Sequence, residues 1–307
     1  MSNAVTALAG IHSIDHFALR VPDLAKAEDF FRTFGLATRN VGDELTLNAA
    51  DGHCWGRIFP GKKRELAYLS LNCFERDFDV LVAQILAEKG RALPPGSAYV
   101  DDKGFWFHDP DGNILQIKIG PKTMPNVKAP NALIDVPCNQ RGSSNRGVLP
   151  PVRPRRLSHV LLFTPDVLKS LDFYTRALGL KLSDRSQDVI AFTHGKHGSD
   201  HHLIAFVKSE RPGWHHSAWD VDGVDEVGRG AAQMEAAGYA EGWGTGRHVL
   251  GSNYFFYVRD PWGSFAEYSA HIDYIAKDHE WPSADHPLED SLYQWGPPVP
   301  PYFTKNL

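Results

Sequence analysis

Apolar and polar positions repeat in the same order in two distant parts of the chain. Residues 14–36, IDHFALRVPDLAKAEDFFRTFGL, match residues 157–180, LSHVLLFTPDVLKSLDFYTRALGL. Each copy begins with an apolar run of strand length, continues with Pro-Asp and an amphipathic segment of helical period, and ends in Gly-Leu. Asp23 and Asp166 stand where a helix N-cap is expected. Each copy therefore predicts a strand, a capped helix and a second strand.

A second repeat extends the correspondence toward the end of each half. Residues 104–120 match residues 253–270, with an Asp-Pro-x-Gly turn at 109–112 in one and at 260–263 in the other. Further amphipathic segments, about Arg76–Lys89 and Val224–Ala237, predict a second helix in each half. We therefore expect an α+β fold of two homologous domains, each built from two β-α-β-β-β modules, four modules in total.

The composition of the connecting segments sets the domain boundaries. Residues 121–156 are rich in Pro, Asn, Arg and Gly without a hydrophobic period, which predicts a linker over the surface between domains at 1–120 and 157–275. Its basic run, Arg153, Arg155 and Arg156, is expected to be solvated. Residues 276–307 contain many prolines and aromatics, which predicts an irregular tail that covers part of the second domain.

Charge and cysteine content exclude several classes of function. The 307 residues have a formal net charge of −5 and no long basic run, which argues against nucleic-acid binding. No apolar stretch approaches the roughly 18 residues that cross a bilayer, and the N-terminus lacks the pattern of a signal peptide. Three cysteines without a CxxC pair favour neither disulfides nor a zinc knuckle. We expect a cytoplasmic protein without a membrane partner.

The candidate chemistry is concentrated in residues 246–267, GRHVLGSNYFFYVRDPWGSFAE. The pattern predicts a turn with His248, an aromatic strand from Tyr254 to Val258, a tight turn and a strand that presents Glu267. This order of Gly-x-His, Phe-Tyr, Asp-Pro-x-Gly and Glu resembles the motif of type I extradiol dioxygenases, members of the vicinal oxygen chelate superfamily. In that superfamily the modules form incomplete barrels.

The resemblance implies one mononuclear iron(II) site in the second domain. Its ligands would be His159, His216 and Glu267, two imidazoles and a carboxylate that leave positions open for substrate and dioxygen. Manganese(II) suits the same ligands. His215 is the alternative to His216, and strand alternation is expected to turn these two side chains to opposite faces, so that only one can bind metal.

The first domain is predicted to lack the metal. The internal alignment sets His16 opposite His159, Tyr68 opposite His216 and Gln116 opposite Glu267. One histidine, a phenol and a neutral amide are a poor iron ligand set. The first domain is therefore expected to be structural, with His16 as a hydrogen-bonding core residue or a remnant of an ancestral site.

Three further residues receive catalytic roles from the resemblance. His202 lies fourteen residues before His216, where the family has its acid-base histidine. Its neighbour His201 is expected to face solvent. His248 and Tyr257 would bind the substrate oxygens, with Tyr257 stabilising the ionised oxygen of a catecholate.

The implied reaction is the insertion of both atoms of dioxygen into a catechol ring beside its two hydroxyls, without an organic cofactor. Phe192, Trp243 and Asn253 are expected to line the substrate pocket, and Trp214 to add apolar surface. Trp243 occupies the position where homoprotocatechuate enzymes have a carboxylate-binding arginine, which favours a neutral or hydrophobic catechol.

The sequence also supports expectations about the pocket wall and the assembly. Arg247 or Arg259 are the nearest residues that could replace the missing arginine. Leu161, where relatives have asparagine, predicts a drier oxygen side of the pocket. We expect a small aromatic diol and O2 as the only small-molecule partners, and a homo-oligomer.

Two other functions share this fold. A glyoxalase-like isomerase or hydrolase uses a metal without oxygen and divides its ligands between two halves. A non-catalytic binding protein of the bleomycin-resistance kind lacks the ligand triad. Bound metal and oxygen uptake distinguish the three.

Overall fold

A computed structural model describes residues 9–131 and 136–306 of the chain. The first eight residues of the predicted first domain, four residues of the predicted linker (132–135) and the last residue of the tail lie outside the described residues. The prediction about a signal peptide rests largely on that undescribed N-terminal segment. No described helix has the length and apolar character needed to span a membrane.

The first half of the described chain contains eight strands and two helices. In chain order these are β1 (Ser13–Val21), α1 (Leu24–Phe34), β2 (Ala37–Val41), β3 (Glu44–Asn48), β4 (Cys54–Pro60), β5 (Glu65–Cys73), α2 (Glu75–Ala87), β6 (Arg91–Ala92), β7 (Phe105–His108) and β8 (Ile114–Ile119). They form two successive β-α-β-β-β modules, as the sequence repeat predicts.

The second half repeats this order with a short additional pair of strands. Its elements are β9 (Arg156–Thr164), α3 (Val167–Leu178), β10 (Lys181–Ser186), β11 (Ile190–His194), β12 (Ser199–Asp200), β13 (Ile204–Lys208), β14 (Gly213–Asp220), α4 (Val224–Ala236), β15 (Gly242–Arg247), β16 (Tyr254–Arg259), β17 (Phe265–Ala270) and β18 (Tyr274–Ile275). Strands β12 and β18 pair with each other outside the main sheet. The α+β class and the module count are confirmed.

Local chemistry explains where the first helix of each half begins and ends. The Asp23 carboxylate accepts a hydrogen bond from the backbone N–H of Lys26 at 3.0 Å, and Asp166 accepts one from Lys169 at 3.0 Å. Both helices end at a glycine in the left-handed conformation, Gly35 at φ 105° being one of them. The predicted caps are therefore confirmed.

The sheet order brings the first strands of two modules together at the centre of each half. The first sheet runs β2-β3-β4-β1-β5-β8-β7-β6, and the second runs β10-β11-β13-β9-β14-β17-β16-β15. In the second sheet, β9 and β14 are antiparallel neighbours and β17 lies parallel beside β14. Side chains on these three adjacent strands can therefore converge on one point.

Strand register confirms the internal alignment of the two halves. His159 pairs with Ala218, which pairs with Glu267, and in the first sheet His16 pairs with Ser70, which pairs with Gln116. His16 is buried there, and its Nε2 atom lies 3.0 Å from the hydroxyl oxygen of Tyr68. The first domain thus keeps the scaffold of the site while a phenol and an amide replace two of its three side chains.

A single core joins the two halves, and it changes two sequence-based interpretations. Trp214 packs on Phe17 of the first half, with ring centroids 4.9 Å apart, so it does not supply pocket surface as expected. Arg156 is also not a solvated linker residue. It is buried and forms an ion pair with Asp200 at 2.9 Å, because it opens strand β9 beside two carboxylates.

Candidate active site

Three adjacent strands each contribute one side chain to a buried cluster. His159 comes from β9, His216 from β14 and Glu267 from β17, and one potential ligand atom of each lies within 4.8 Å of the others. The structure brings together all three residues that the sequence nominated as metal ligands. No other group of this kind occurs among the residues that the structure describes.

A β-bulge changes the expected relation between His215 and His216. Trp214 pairs with Leu162 and His216 with Leu161, so His215 is an extra residue in β14 without a partner across the ladder. The two imidazoles consequently do not face opposite sides of the sheet, as alternation would require. Their Nδ1 atoms are 2.7 Å apart. The expectation of opposite faces is wrong because a bulge interrupts the alternation.

The geometry of the cluster fits a divalent metal. Glu267 Oε2 lies 3.3 Å from Nε2 of His159 and 3.3 Å from Nε2 of His216. Neither His216 Nε2 nor Glu267 Oε2 has a hydrogen-bond partner, although both are buried. Buried polar atoms without partners are rare and costly, so a charged group belongs between them. Two imidazoles and one carboxylate are the donor set of a non-haem iron site.

Electrostatics favour a charged carboxylate in this cluster. Burial alone would raise the pKa of Glu267, but the adjacent rings of His159 and His216 outweigh this effect and hold it below its ordinary value. Burial lowers the pKa of His216 to about 4. A neutral imidazole beside an ionised carboxylate is the protonation state that a metal ion requires of its ligands.

A chain of hydrogen bonds orients His159. The hydroxyl of Ser158 donates to Asp200 at 2.8 Å, so its oxygen is free to accept from Nδ1 of His159 at 3.2 Å. Asp200 is held in turn by Arg156. The Nε2 atom of His159 therefore presents its lone pair to the cluster.

His215 is engaged at both of its ring nitrogens. Its Nδ1 contacts Nδ1 of His216, and its Nε2 lies 2.8 Å from the carbonyl oxygen of Phe303 in the C-terminal tail. His215 thus has no nitrogen left for a metal. This geometry favours His216 over His215, in agreement with the sequence-based preference.

His202 lies against the cluster, but its neighbour is not where the sequence placed it. The rings of His202 and His159 are 3.9 Å apart. His201 was expected to face solvent and is instead fully buried, with 0% exposure. Its Nε2 contacts Asp184 at 2.9 Å and its Nδ1 contacts Nδ1 of His202 at 3.1 Å. A buried carboxylate partner, invisible in the sequence, draws His201 inward.

His248, Tyr257 and Asn253 complete the polar wall. Nε2 of His248 lies 3.0 Å from the Tyr257 hydroxyl, and Nδ1 of His248 donates to the carbonyl of Leu292 in the tail. Because that carbonyl can only accept, the Tyr257 hydroxyl is the donor to His248 Nε2. Burial raises the pKa of Tyr257 well above its ordinary value, so the phenol is neutral. Asn253 donates to Glu267 Oε1 at 3.0 Å.

These side chains line a small, partly enclosed cavity with a volume of about 30 Å³. The rest of its wall is apolar or uncharged: Leu161, Ile190, Phe192, Val207 and Leu250 come from the second half, and Ser291, Leu292, Phe303 and Thr304 come from the tail. Of the predicted pocket residues, Phe192 and Asn253 line it and Trp243 does not. No described residue in its lining is a lysine or arginine.

Trp243 and the two nearby arginines lie outside this cavity. Trp243 is 2% exposed, stacks on Tyr257 with centroids 5.5 Å apart, and donates its indole N–H to the Pro297 carbonyl. Arg247 lies over the ring of Tyr254, and Arg259 forms an ion pair with Glu241. The sequence assigned Trp243 to the pocket because its position matches a pocket arginine, but here the tail covers the indole.

Sequence reasoning missed the residues that hold the histidines in place. Asp184 and the backbone carbonyls of Leu292 and Phe303 carry no motif, because each acts through a contact distant in sequence. Ser158 adjoins His159 but depends on the distant Asp200 for its orientation. The only available signal was the two His-His doublets, at 201–202 and 215–216. In both, the first histidine supports the second through an Nδ1 contact.

Comparison with known proteins agrees with this geometry. Residues 156–268 match the family described as "Glyoxalase/Bleomycin resistance protein/Dioxygenase superfamily". This region contains all three cluster residues. The chain is also 60% identical over 296 residues to Metapyrocatechase 2 of Cupriavidus necator, which covers 96% of this chain and 92% of the relative.

Solved structures share the architecture. An Mn(II)-bound glyoxalase from Novosphingobium aromaticivorans is 25% identical, with a TM-score of 0.75 over 94% of this chain and 92% of that one. An extradiol ring-cleaving dioxygenase from B. fuscum has a TM-score of 0.78 at 20% identity, over 100% of this chain and 85% of that one, which shows the common fold. The chain belongs to the type I extradiol ring-cleaving dioxygenases of the vicinal oxygen chelate superfamily, whose modules form incomplete barrels.

Proposed function

We propose that this enzyme binds one iron(II) through His159, His216 and Glu267 and cleaves a catechol-type diol with O2 beside its hydroxyls. The observation that carries the proposal is the pair of buried atoms without partners, His216 Nε2 and Glu267 Oε2, which point at each other across 3.3 Å. When bound, iron(II) supplies the redox and Lewis-acid chemistry that allows O2 to react with an aromatic diol.

The surrounding residues prepare the substrate. The neutral hydroxyl of Tyr257 and the imidazole of His248 form one hydrogen-bonded pair at the cavity wall, where they can bind a diol oxygen and hold its proton. His202 lies against the ring of His159 and is the candidate for moving a proton on the oxygen side. Leu161 and Phe192 make the rest of the space apolar, which excludes water.

The uncharged wall favours a neutral substrate. A carboxylate inside a cavity without a cationic partner costs a few kcal/mol, so we expect roughly 100-fold lower kcat/KM for 3,4-dihydroxyphenylacetate than for an alkyl- or aryl-substituted catechol. The comparison requires identical iron loading and O2. Preference for the acidic compound would contradict the proposed substrate class.

Replacement of Glu267 tests the metal assignment. Glu267→Gln keeps the shape of the side chain but removes the charge, so iron retention and O2 uptake with catechols should both be lost while the circular dichroism spectrum is unchanged. Glu241→Gln is the matched control, because Glu241 is exposed and pairs only with Arg259. Full iron content and activity in Glu267→Gln would contradict the assignment.

The same assay separates the alternative functions. A glyoxalase-like enzyme would retain a metal but consume no O2, and a binding protein would take up a catechol without turnover. Manganese(II) suits the same donors, so the metal-free protein should be loaded with iron and with manganese separately. We propose iron as the metal that gives turnover. Assembly as a homo-oligomer and a cytoplasmic location remain predictions.

A further inference from the structure

The bulge at His215 creates a contact between the C-terminal tail and the candidate metal site. His215 Nε2 lies 2.8 Å from the Phe303 carbonyl oxygen, and His215 Nδ1 lies 2.7 Å from His216 Nδ1. Without the extra residue in β14, the two rings would lie on opposite faces of the sheet and could not meet.

The direction of these hydrogen bonds follows from the chemistry of the carbonyl. A carbonyl oxygen only accepts, so the proton of His215 is on Nε2. His215 is 1% exposed, and neither of its ring nitrogens contacts a carboxylate, which favours the neutral ring. Its Nδ1 is then an acceptor, and His216 must donate from its own Nδ1. The Nε2 atom of His216 is left with a lone pair that faces Glu267.

We propose that the Phe303 carbonyl, acting through His215, holds His216 in the tautomer and orientation that bind the metal. His215 is thus a positioning residue and not a ligand. This inference rests on the proposed function, because it takes His216 as a ligand. Partners of this kind commonly change metal affinity by about 10 to 100-fold when they are removed.

Several contacts fix the tail at the required place. The Phe303 side chain is buried against Tyr257 and Trp243, with ring centroids 4.8 and 4.7 Å away. Beyond it, the side chain of Asn306 accepts from Arg64 at 3.2 Å and donates to the carbonyl of Pro212 at 2.9 Å. The carbonyl at Phe303 is therefore held from both sides.

The test uses two substitutions of His215 in the full chain. His215→Leu removes the acceptor, and we expect iron(II) affinity, measured by anaerobic chelator competition, to fall by about 10 to 100-fold. His215→Asn places an amide oxygen near the position of Nδ1, so it should recover most of the affinity. Lys305→Gln, at an exposed position of the same tail, serves as the control with near-normal affinity.

A spectroscopic measurement tests this relay, the hydrogen bonds from the Phe303 carbonyl through His215 to His216. It needs neither bound metal nor an activity assay. In the metal-free protein with 15N-labelled histidine, two-bond proton–nitrogen couplings should show His216 protonated at Nδ1 and unprotonated at Nε2. His216 protonated at Nε2 in the wild type, or unchanged iron affinity in a folded His215→Leu protein, would overturn the inference. Iron retention in Glu267→Gln would instead contradict the proposed function, while the tautomer of His216 would still test the relay.

Discussion

Asp184 Oδ2 and His201 Nε2 are 2.9 Å apart in the interior of the second domain. Asp184 also accepts hydrogen bonds from Trp281, Ala284 and His286 of the tail. Burial alone would raise its pKa, but these donors outweigh burial and lower the pKa to about 2, so the group is a carboxylate. It therefore fixes an N–H group of His201 at Nε2, and the other ring nitrogen of His201 contacts Nδ1 of His202 at 3.1 Å.

The first prediction concerns this carboxylate. Asp184→Asn places an amide N–H group next to N–H donors, which cannot accept a hydrogen bond from it. The His201 ring then loses its fixed orientation, and His202 loses the contact that holds its own ring. We expect kcat to fall by about 10 to 100-fold with KM and iron content nearly unchanged. Asp188→Asn in the same hairpin is the matched control, because Asp188 is exposed and pairs with Lys208. An unchanged kcat in Asp184→Asn would contradict the prediction.

The second prediction concerns His202 itself. His202→Phe should lower kcat by ~100-fold or more with iron content intact, the range expected for the loss of general acid-base help. Loss of iron in this variant would mean that His202 is a ligand. In the His202→Phe background, Asp184→Asn should cause little further loss, because both substitutions act through one imidazole. Additive losses would show that Asp184 acts independently of His202.

The third prediction follows from the position of Trp243. Trp243 is buried between Tyr257 and the tail. Trp243→Arg therefore places a charge in the core, where the guanidinium cannot pair with a substrate carboxylate in the cavity. We expect a loss of stability of about 3 kcal/mol or more in urea unfolding, without any gain in activity on 3,4-dihydroxyphenylacetate. Trp243→Phe should lose much less. A gain in activity on the acidic catechol would show that residue 243 reaches the substrate.

The fourth prediction concerns the pH dependence of stability. Burial lowers the pKa of His194 from its ordinary value of 6.5 to about 4, so between these values the unfolded chain binds a proton that the folded chain does not. Stability should therefore fall as pH decreases from 7 to 5, with His194 contributing about 2 kcal/mol of that loss.

Urea unfolding of the metal-free protein at pH 7 and pH 5 measures this effect. His194→Asn should reduce the difference between the two pH values, while His108→Asn, a substitution in the first half, should leave it nearly unchanged. An equal pH dependence in wild type and His194→Asn would contradict the assignment to His194.

Much of the fold was accessible from the sequence because its causes are local or repeated along the chain. Strand and helix periods, the caps at Asp23 and Asp166, and the internal repeat all depend on neighbouring residues. The repeat also predicted which strands are equivalent, while the choice of His159, His216 and Glu267 came from the family resemblance. The prediction that the first half lacks a metal site, because His16, Tyr68 and Gln116 stand at the equivalent positions, used the same alignment.

The errors share another physical origin. His201 was expected at the surface because its buried partner, Asp184, lies in a different strand. His215 was expected on the opposite face because a bulge depends on the partner strand and leaves no mark in the sequence. Trp243 was assigned to the pocket because no pattern showed where an irregular tail would pack. Each error involved a contact between segments distant in the chain.

The C-terminal tail is synthesised after all three candidate ligands, which affects when the site can form. His159, His216 and Glu267 all leave the ribosome before Leu292 and Phe303, whose carbonyls accept from His248 and His215. A nascent chain that has just extended past Glu267 thus contains every candidate ligand but lacks the groups that orient the histidines and close the cavity. Domains fold as units once their segments are available, so we expect tight metal binding only at the end of folding. On this expectation, the growing chain has no well-formed metal site until the tail has packed.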